Sequence, residues 1–210
     1  MNYKFAICCR EPLINVTGGI GTYTRLLVEL ISKRHGDCVI FIPNELNEAE
    51  DIKKLIPTIE VVSVKLLENF PNNIHSEALK WSYSLYKSIE LFEKCNRISL
   101  FEFPDYEAEG YYAINAAKYG LLKFKSCVRL HSPIFMLKTD NNNDLMYLSD
   151  ERIIAAEKSC LMLCDVILYG ADKMQARVFS YFDENQKEKL MQKSVKIHHP
   201  SAQKKIRKKY

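Results

Sequence analysis

The chain has 210 residues, of which 47% are hydrophobic and 27% are charged. A chain of this length and composition can bury one large core, so extensive disorder is excluded. No apolar run reaches the roughly 18 residues that a membrane-spanning helix needs. The apolar stretch within residues 1–12 is short and predicts a strand rather than a signal peptide. We therefore expect a cytoplasmic protein.

The formal net charge is +4, but the last seven residues, "KKIRKKY", carry five of the basic side chains. The rest of the chain is close to neutral, which does not fit a fold that binds nucleic acid, and we expect no nucleic-acid partner. A basic tail at 201–210 can contact anionic lipid at the inner face of a membrane. It can also be the solvated start of an interdomain linker, and this second interpretation is favoured.

The seven cysteines are scattered along the chain and include no C-x-x-C pair. A zinc site needs several ligands at tight spacing, and the sequence does not supply them. We expect buried free thiols in a reducing compartment and no metal.

Short apolar runs alternate with amphipathic stretches along the chain. Runs of Val, Ile, Phe and Cys are typical of strands buried on both faces, and apolar residues at helical spacing are typical of helices that cover a sheet. In chain order, the pattern predicts strand 4–9, helix 21–35, strand 38–43, helix 48–56, strand 59–64, helix 76–95, strand 98–104, helix 106–120, strand 126–132, a turn-rich break at 139–144, helix 145–164, strand 165–170, helices 171–181 and 184–192, and strand 195–200.

This alternation predicts the α/β class, with a Rossmann-like, doubly wound and mostly parallel sheet of about seven strands. Such sheets bind ligands at the carboxyl ends of their strands. The loops after the first, fourth and fifth strands are therefore the candidate sites.

The first of these loops, "NVTGGIG" (15–21), places three glycines directly before a helix. It lacks the Lys-Ser/Thr pair of a Walker A loop, and Thr24 stands where the dinucleotide fingerprint needs Gly or Ala. Backbone N–H groups at a helix N-terminus favour an anion, and glycine permits its close approach. An ordinary flexible turn is the alternative, and the loop alone does not decide between the two.

The second stretch, 101–110, carries four acidic residues at and after the carboxyl end of the fourth strand. Glu107 and Glu109 are explained as partners of the helix dipole in a first helical turn. That explanation fits Glu102 poorly, because this residue lies inside an apolar strand. Carboxylates at a strand end can accept hydrogen bonds from hydroxyl-rich ligands such as sugars, so Glu102 and Asp105 are candidate binding residues.

The third loop, "VRLHSPIF" (128–135), closes the fifth strand. Arg129 and His131 alternate there with apolar residues. A lone histidine is usually structural, but a functional role is favoured for this one because it ends a parallel strand beside an arginine. His198 and His199 lie just before the last proline, and for them a linker is the favoured interpretation.

Taken together, these loops resemble the N-terminal domain of family 4 glycosyltransferases, which are retaining enzymes of the GT-B fold. The stretches that carry the resemblance are "GGIG" with its helix "LLVELISKRHGDCV", then "FEFPDYEAEGYYA", "VRLHSPIF" and "AEKSCLMLCDVILYGADKM", in this order. They cover nearly the whole chain, from about residue 4 to residue 200. One departure is "GADKM" (170–174), where the family often has "SxxM".

The resemblance implies one half of a GT-B fold, with 1–200 as the N-terminal, acceptor-side domain and 201–210 as a basic tail or the start of a linker. A second Rossmann-like domain in cis would bind the nucleotide-sugar donor. That domain is not in this sequence, and transfer to a glycan acceptor is not expected without it. The donor is a substrate, so neither a cofactor nor a metal is implied, and polysaccharide biosynthesis is the implied setting.

The resemblance also implies roles for individual residues. These roles are donor phosphate binding by Gly18, Gly19 and Gly21, a catalytic role for His131 near the transferred sugar, and acceptor binding by Glu102, Asp105 and Arg129. Retaining enzymes of this kind lack an obvious protein nucleophile, so His131 would position and polarise rather than act as a base.

Two other functions stay open. The chain could be a non-enzymatic module that binds a glycan or a protein in the same cleft, or another Rossmann-like enzyme that uses a nucleotide. The glycosyltransferase is favoured because the chemistry of the loops supports it and not the fold alone.

Overall fold

The computed structural model describes residues 1–72, 74, 76–140 and 148–200. The seven strands of the described residues form one sheet. They are β1 (Asn2–Cys8), β2 (Cys38–Pro43), β3 (Glu60–Val64), β4 (Arg97–Pro104), β5 (Lys125–Arg129), β6 (Val166–Tyr169) and β7 (Ser194–Lys196). Their order in the sheet is β3-β2-β1-β4-β5-β6-β7, and every neighbouring pair is parallel. The predicted fold class, a Rossmann-like doubly wound sheet of seven strands, is confirmed.

Eight α-helices flank this sheet in the described residues. They are α1 (Gly19–His35), α2 (Ala49–Leu55), α3 (Glu77–Glu93), α4 (Tyr111–Lys118), α5 (Ile134–Asp140), α6 (Leu148–Leu163), α7 (Asp172–Phe179) and α8 (Glu184–Gln192). None of these helices combines the length and the apolar character that crossing a bilayer requires.

Side chains that alternate along β1 build a core on each face of the sheet. Ala6 and Cys8 belong to the larger core, which α3, α4, α6, α7 and α8 cover. Ile7 and Cys9 belong to the smaller core, which α1 and α2 cover. This period of two is the one that a strand imposes, and it explains why β2 and the end of β1 are apolar at successive positions.

The segment after β4 differs from the sequence prediction. One helix is predicted at 106–120, but the structure has a 3-10 turn at Tyr106–Ala108 and then α4. Glu107 and Ala108 have positive φ angles of 55° and 52°, a backbone conformation that few residues other than glycine adopt. These two residues interrupt the helix and turn the chain at the carboxyl edge of the sheet.

The segment after β5 also differs from the prediction. The strand is predicted to reach residue 132 but ends at Arg129, and the Asp105 carboxylate accepts the backbone N–H groups of His131 and Ser132. Helix α5 follows at once, and the sequence pattern does not predict it.

Parts of three predicted segments lie outside the described residues. They are most of the break at 139–144, the first residues of the helix at 145–164, and the whole basic tail at 201–210.

Candidate functional site

A cavity of about 530 Å³ lies at the carboxyl edge of the sheet. Parallel sheets of this kind bind ligands at this edge, and the volume is that of a small-molecule site. The loops after β1, β4 and β5, the start of α1 and the segment after β7 form its walls. The lining residues are Glu11, Gly19, Ile20, Tyr23, Tyr106, His131, Ser132, Leu137 and His199.

The glycine turn, residues 18–21, opens α1 at one wall of this cavity. Gly18 is the N-cap residue and supplies no side-chain hydrogen bond. Gly19 faces open space, since a Cβ built there would meet nothing within 4 Å. Gly21 donates its backbone N–H to Oε2 of Glu11 at 2.6 Å. The turn therefore already holds an anion, and that anion is a carboxylate of the same chain.

His131 lies on another wall of the cavity, just after β5. Its backbone N–H donates to Oδ2 of Asp105 at 3.0 Å, and its ring packs edge-on against Tyr23 with centroids 4.9 Å apart. Burial lowers the pKa of the imidazole to about 3, and His199 and Arg129 add to this shift. The ring is therefore neutral at pH 7. Among the described residues neither ring nitrogen has a hydrogen-bond partner, so one can donate to a ligand and the other can accept.

Glu102 and Arg129 form a buried pair beneath the cavity. Each residue is 2% exposed, and Nε of Arg129 lies 3.5 Å from Oε1 of Glu102. The register explains this pairing, because Glu102 stands opposite Cys127 and Arg129 emerges two residues later on the same face. The Tyr23 hydroxyl donates to Oε1 of Glu102 at 2.6 Å, and the guanidinium lies over the Tyr23 ring at 5.0 Å. Tyr23 thus lines the cavity, while the charged groups of Glu102 and Arg129 lie behind it.

Asp105 is also 2% exposed, and its side chain binds the backbone of the loop that carries His131. Its carboxylate accepts the backbone N–H groups of His131 at 3.0 Å and of Ser132 at 3.3 Å. Burial raises the pKa of Asp105 to about 7, against the effect of these hydrogen bonds. The side chain is absent from the cavity lining, so a direct contact with an acceptor would require the loop to open.

Buried carboxylates hold the cavity loops in place by accepting backbone N–H groups. Besides Asp105, Glu48 and Glu157 do this from positions distant in the sequence. Their donors are Leu13 and Ile14 for Glu48, and Glu107, Ile134 and Phe135 for Glu157. Each of these carboxylates thus accepts hydrogen bonds that water would otherwise accept. Without it, the N–H groups of the loop backbone would be buried without partners.

His199 joins the cavity although its sequence favours a linker. Nη1 of Arg129 donates to the carbonyl of Ile197 at 2.9 Å and fixes the segment after β7. The ring of His199 then lies 5.1 Å from the ring of Tyr23 and 5.6 Å from that of His131, between centroids. Three polar aromatic rings therefore meet at this wall, so His199 lines the cavity from the segment for which the sequence favours a linker.

Gly170 makes room for this ring. A Cβ built on Gly170 would lie 2.6 Å from Cδ2 of His199. We expect Gly170→Ala to push the imidazole of His199 away from Tyr23, and its NMR ring signals to lose the shift that the neighbouring phenol causes. Gly19→Ala is the control, because a Cβ there meets nothing within 4 Å. Unchanged His199 signals in Gly170→Ala would contradict this expectation.

Sequence reasoning also misses other polar residues of the cavity, namely Glu11, Tyr23, Tyr106 and Ser132. A signal for Tyr23 is available, because it lies one helical turn after Gly19 and therefore on the same side of α1. Glu11 gives no such signal, since its position depends on how the loop after β1 folds back onto the glycine turn.

The described residues lack the ligand sets that bind metal ions. No group of three or more His, Cys, Asp or Glu among them could hold a metal ion. All seven cysteines are free, and all are buried except Cys95, so the expectation of buried free thiols is correct for six of them.

Comparison with known proteins shows a likeness of fold. No protein-family model matches the sequence, and no curated protein matches it. A ugt transferase from Siraitia grosvenorii, solved in complex with UDP, matches the structure with a TM-score of 0.54 at 9% sequence identity. The match covers 93% of this chain and 50% of that one, so the chain spans half the length of this neighbour. The fold is thus glycosyltransferase-like and is consistent with one Rossmann-like half of a GT-B enzyme.

Proposed function

We propose that this chain is the acceptor-side half of a retaining glycosyltransferase of the family 4 type, which moves a sugar from a nucleotide-sugar donor to a hydroxyl acceptor. One observation carries the proposal. His131 offers a neutral imidazole whose two ring nitrogens have no hydrogen-bond partner in the described part of the chain, and it lies in a cavity at the carboxyl edge that the glycine turn also lines. The glycosyltransferase-like fold supports it.

In this proposal a second Rossmann-like domain in cis holds most of the donor. Gly18, Gly19 and Gly21 approach its diphosphate, which can reach the turn when Glu11 moves aside. The ring of His131 hydrogen-bonds a sugar hydroxyl and stabilises charge that develops during transfer. The leaving phosphate takes the acceptor proton on the same face, so the proposal needs no protein nucleophile, cofactor or metal.

We assign Glu102, Asp105 and Arg129 a positioning role, which revises the acceptor contacts that the sequence predicts. Glu102 holds the Tyr23 hydroxyl, and Arg129 anchors the segment that carries His199. Asp105 shapes the loop of His131. The acceptor then contacts the rings that these three residues place, rather than the buried charges themselves.

The proposal predicts that His131→Ala lowers kcat for sugar transfer by about 10²-fold, the loss typical when one donor to developing charge is removed. The measurement is release of UDP from UDP-glucose by the full-length gene product, with saccharides as acceptors. His198→Ala is the matched control, because this exposed neighbour lies outside the cavity lining. Turnover in His131→Ala equal to that of the wild type would remove this residue from the mechanism.

A non-enzymatic glycan-binding module is the second candidate, and one observation favours it. The carboxylate of Glu11 occupies the place in the glycine turn where a donor phosphate would bind. Measurement of saccharide binding beside the release of UDP distinguishes the two functions. Saccharide binding that depends on Tyr23 and His131, without release of UDP from any UDP-sugar, would support the module.

A further inference from the structure

The carboxylate of Glu11 and the carbonyl of Pro12 lie against two of the glycines in the glycine turn. A Cβ built on Gly18 would lie 2.2 Å from Oε2 of Glu11 and 2.6 Å from Oε1. A Cβ built on Gly21 would lie 3.1 Å from Oε2 of Glu11 and 2.7 Å from the carbonyl oxygen of Pro12. No side chain fits at either position without displacing its neighbours. The turn therefore packs closely against this carboxylate and the Pro12 carbonyl, and Gly19 is the glycine of the turn that faces open space.

The same carboxylate occupies the anion position of α1. It accepts the N–H of Gly21 at 2.6 Å, and it lies where the positive end of the helix dipole favours negative charge. The helix supplies no alternative, since it has no side-chain hydrogen bond at its N-cap and no acidic residue in its first turn. A phosphate bound by the turn would use the same backbone donors.

The charge of the cavity disfavours a second anion. Among the lining residues that the structure describes, Glu11 is the charged side chain, because burial lowers the pKa of both His131 and His199 and leaves their rings neutral at pH 7. The adjacent Arg10 pairs with Glu107 instead. Among the described residues no cation lies within ion-pair distance of Glu11. A phosphate beside it would therefore meet a negative charge that is not paired with any cation of the described residues.

We propose that Glu11 is a specificity-determining residue, which fills the phosphate position of the glycine turn and so disfavours phosphate there. With Glu11 in place the cavity offers a carboxylate, two neutral imidazoles and hydroxyl groups, which suit the hydroxyls of an uncharged ligand. A diphosphate can occupy the turn only by displacing this carboxylate. The inference concerns the turn itself and holds whether or not the protein transfers a sugar.

The test measures binding of inorganic pyrophosphate by calorimetry at pH 7.5 and constant ionic strength. Glu11→Gln removes the charge and keeps the shape, and Glu11→Ala removes the whole group. Both variants should bind pyrophosphate about tenfold more tightly than the wild type, as expected when a competing anion leaves a helix N-terminus. Glu29→Gln is the control, because it makes the same charge change on α1 at a half-buried pair with Arg25, away from the cavity lining. Its affinity should stay within about twofold of the wild type.

The outcomes separate this inference from the proposed function, because pyrophosphate carries no sugar. Tighter binding in both Glu11 variants supports the inference even if no transfer is ever observed. Equal or weaker binding in variants that keep the wild-type melting temperature overturns it, and so does the absence of measurable binding in all four proteins. An equal gain in Glu29→Gln overturns it as well, since the effect would then come from net charge.

Discussion

Replacement of Arg129 by methionine should lower the free energy of unfolding by about 3–5 kcal/mol, the cost typical of breaking a buried ion pair. The variant leaves Glu102 buried with the Tyr23 hydroxyl as its remaining partner, and it removes the donor to the carbonyl of Ile197. Urea denaturation at pH 7, followed by circular dichroism, measures the loss.

Lys54→Met is the control for the Arg129 variant. Lys54 pairs with Asp51 at 2.9 Å on the surface, where its side chain is 74% exposed, and such pairs contribute about 0–1 kcal/mol. The double variant Glu102→Gln/Arg129→Met should recover part of the stability, because it leaves no unpaired charge in the interior. A loss below about 1 kcal/mol in Arg129→Met would show that the pair is not held in the buried state that the structure describes.

Replacement of Glu157 by alanine should have the next largest effect, a loss of about 3 kcal/mol. The carboxylate accepts the backbone N–H groups of Glu107, Ile134 and Phe135. Each buried group left without a partner costs about 1–3 kcal/mol. The measurement is again urea denaturation, and the loss should be accompanied by faster amide exchange at these three residues. Slow exchange at all three in the variant would contradict the assignment.

Replacement of Glu157 by glutamine tests the pKa of the same residue, because the glutamine side chain does not titrate. Burial raises the pKa of Glu157 to about 8, and the Asp105 carboxylate adds to the shift from the usual value of 4.5. The folded chain holds a proton that the unfolded chain releases above pH 4.5. This contribution to stability is present in full below pH 4.5 and is lost as the pH rises through 8.

The free energy of unfolding of the wild type, minus that of Glu157→Gln, should therefore fall between pH 5 and pH 8 by up to about 1.4 kcal/mol per pH unit. The lowered His131 occurs in both proteins and largely cancels in the difference. The Asp105 carboxyl interacts with Glu157 and titrates together with it, so the fall belongs to this pair. A difference that stays constant or rises with pH would contradict the raised pKa.

The sheet could be predicted from the sequence because its strands are buried on both faces. The strand β2 shows this best, since "CVIFIP" is apolar throughout and its predicted and observed bounds agree at 38–43. Helix α5 could not be predicted, because its first backbone N–H groups bond to Glu157, which lies more than 20 residues further along the chain. The turn at Glu107 and Ala108 is also set by distant contacts, with Arg10 and Glu157.

Some features of the candidate site could likewise be predicted from the sequence, and others could not. The three loops and His131 could be identified because strand ends are visible in an apolar pattern, and the structure gathers the loops at one edge. The partners of Glu102 could not be identified, since a carboxylate in an apolar strand can face a ligand or an internal cation. The choice depends on the register of β4 against β5, which places Arg129 beside it.

The carboxylates that bind loop backbone have a consequence for how a ligand would be received. Because Glu48, Asp105 and Glu157 bond loop N–H groups to the body of the domain, these loops have already lost their conformational entropy on folding. A ligand that enters the cavity then orders little additional chain, and its affinity depends on how well it fits walls that are already rigid. The loops should also unfold together with the core as one cooperative unit, instead of opening by themselves.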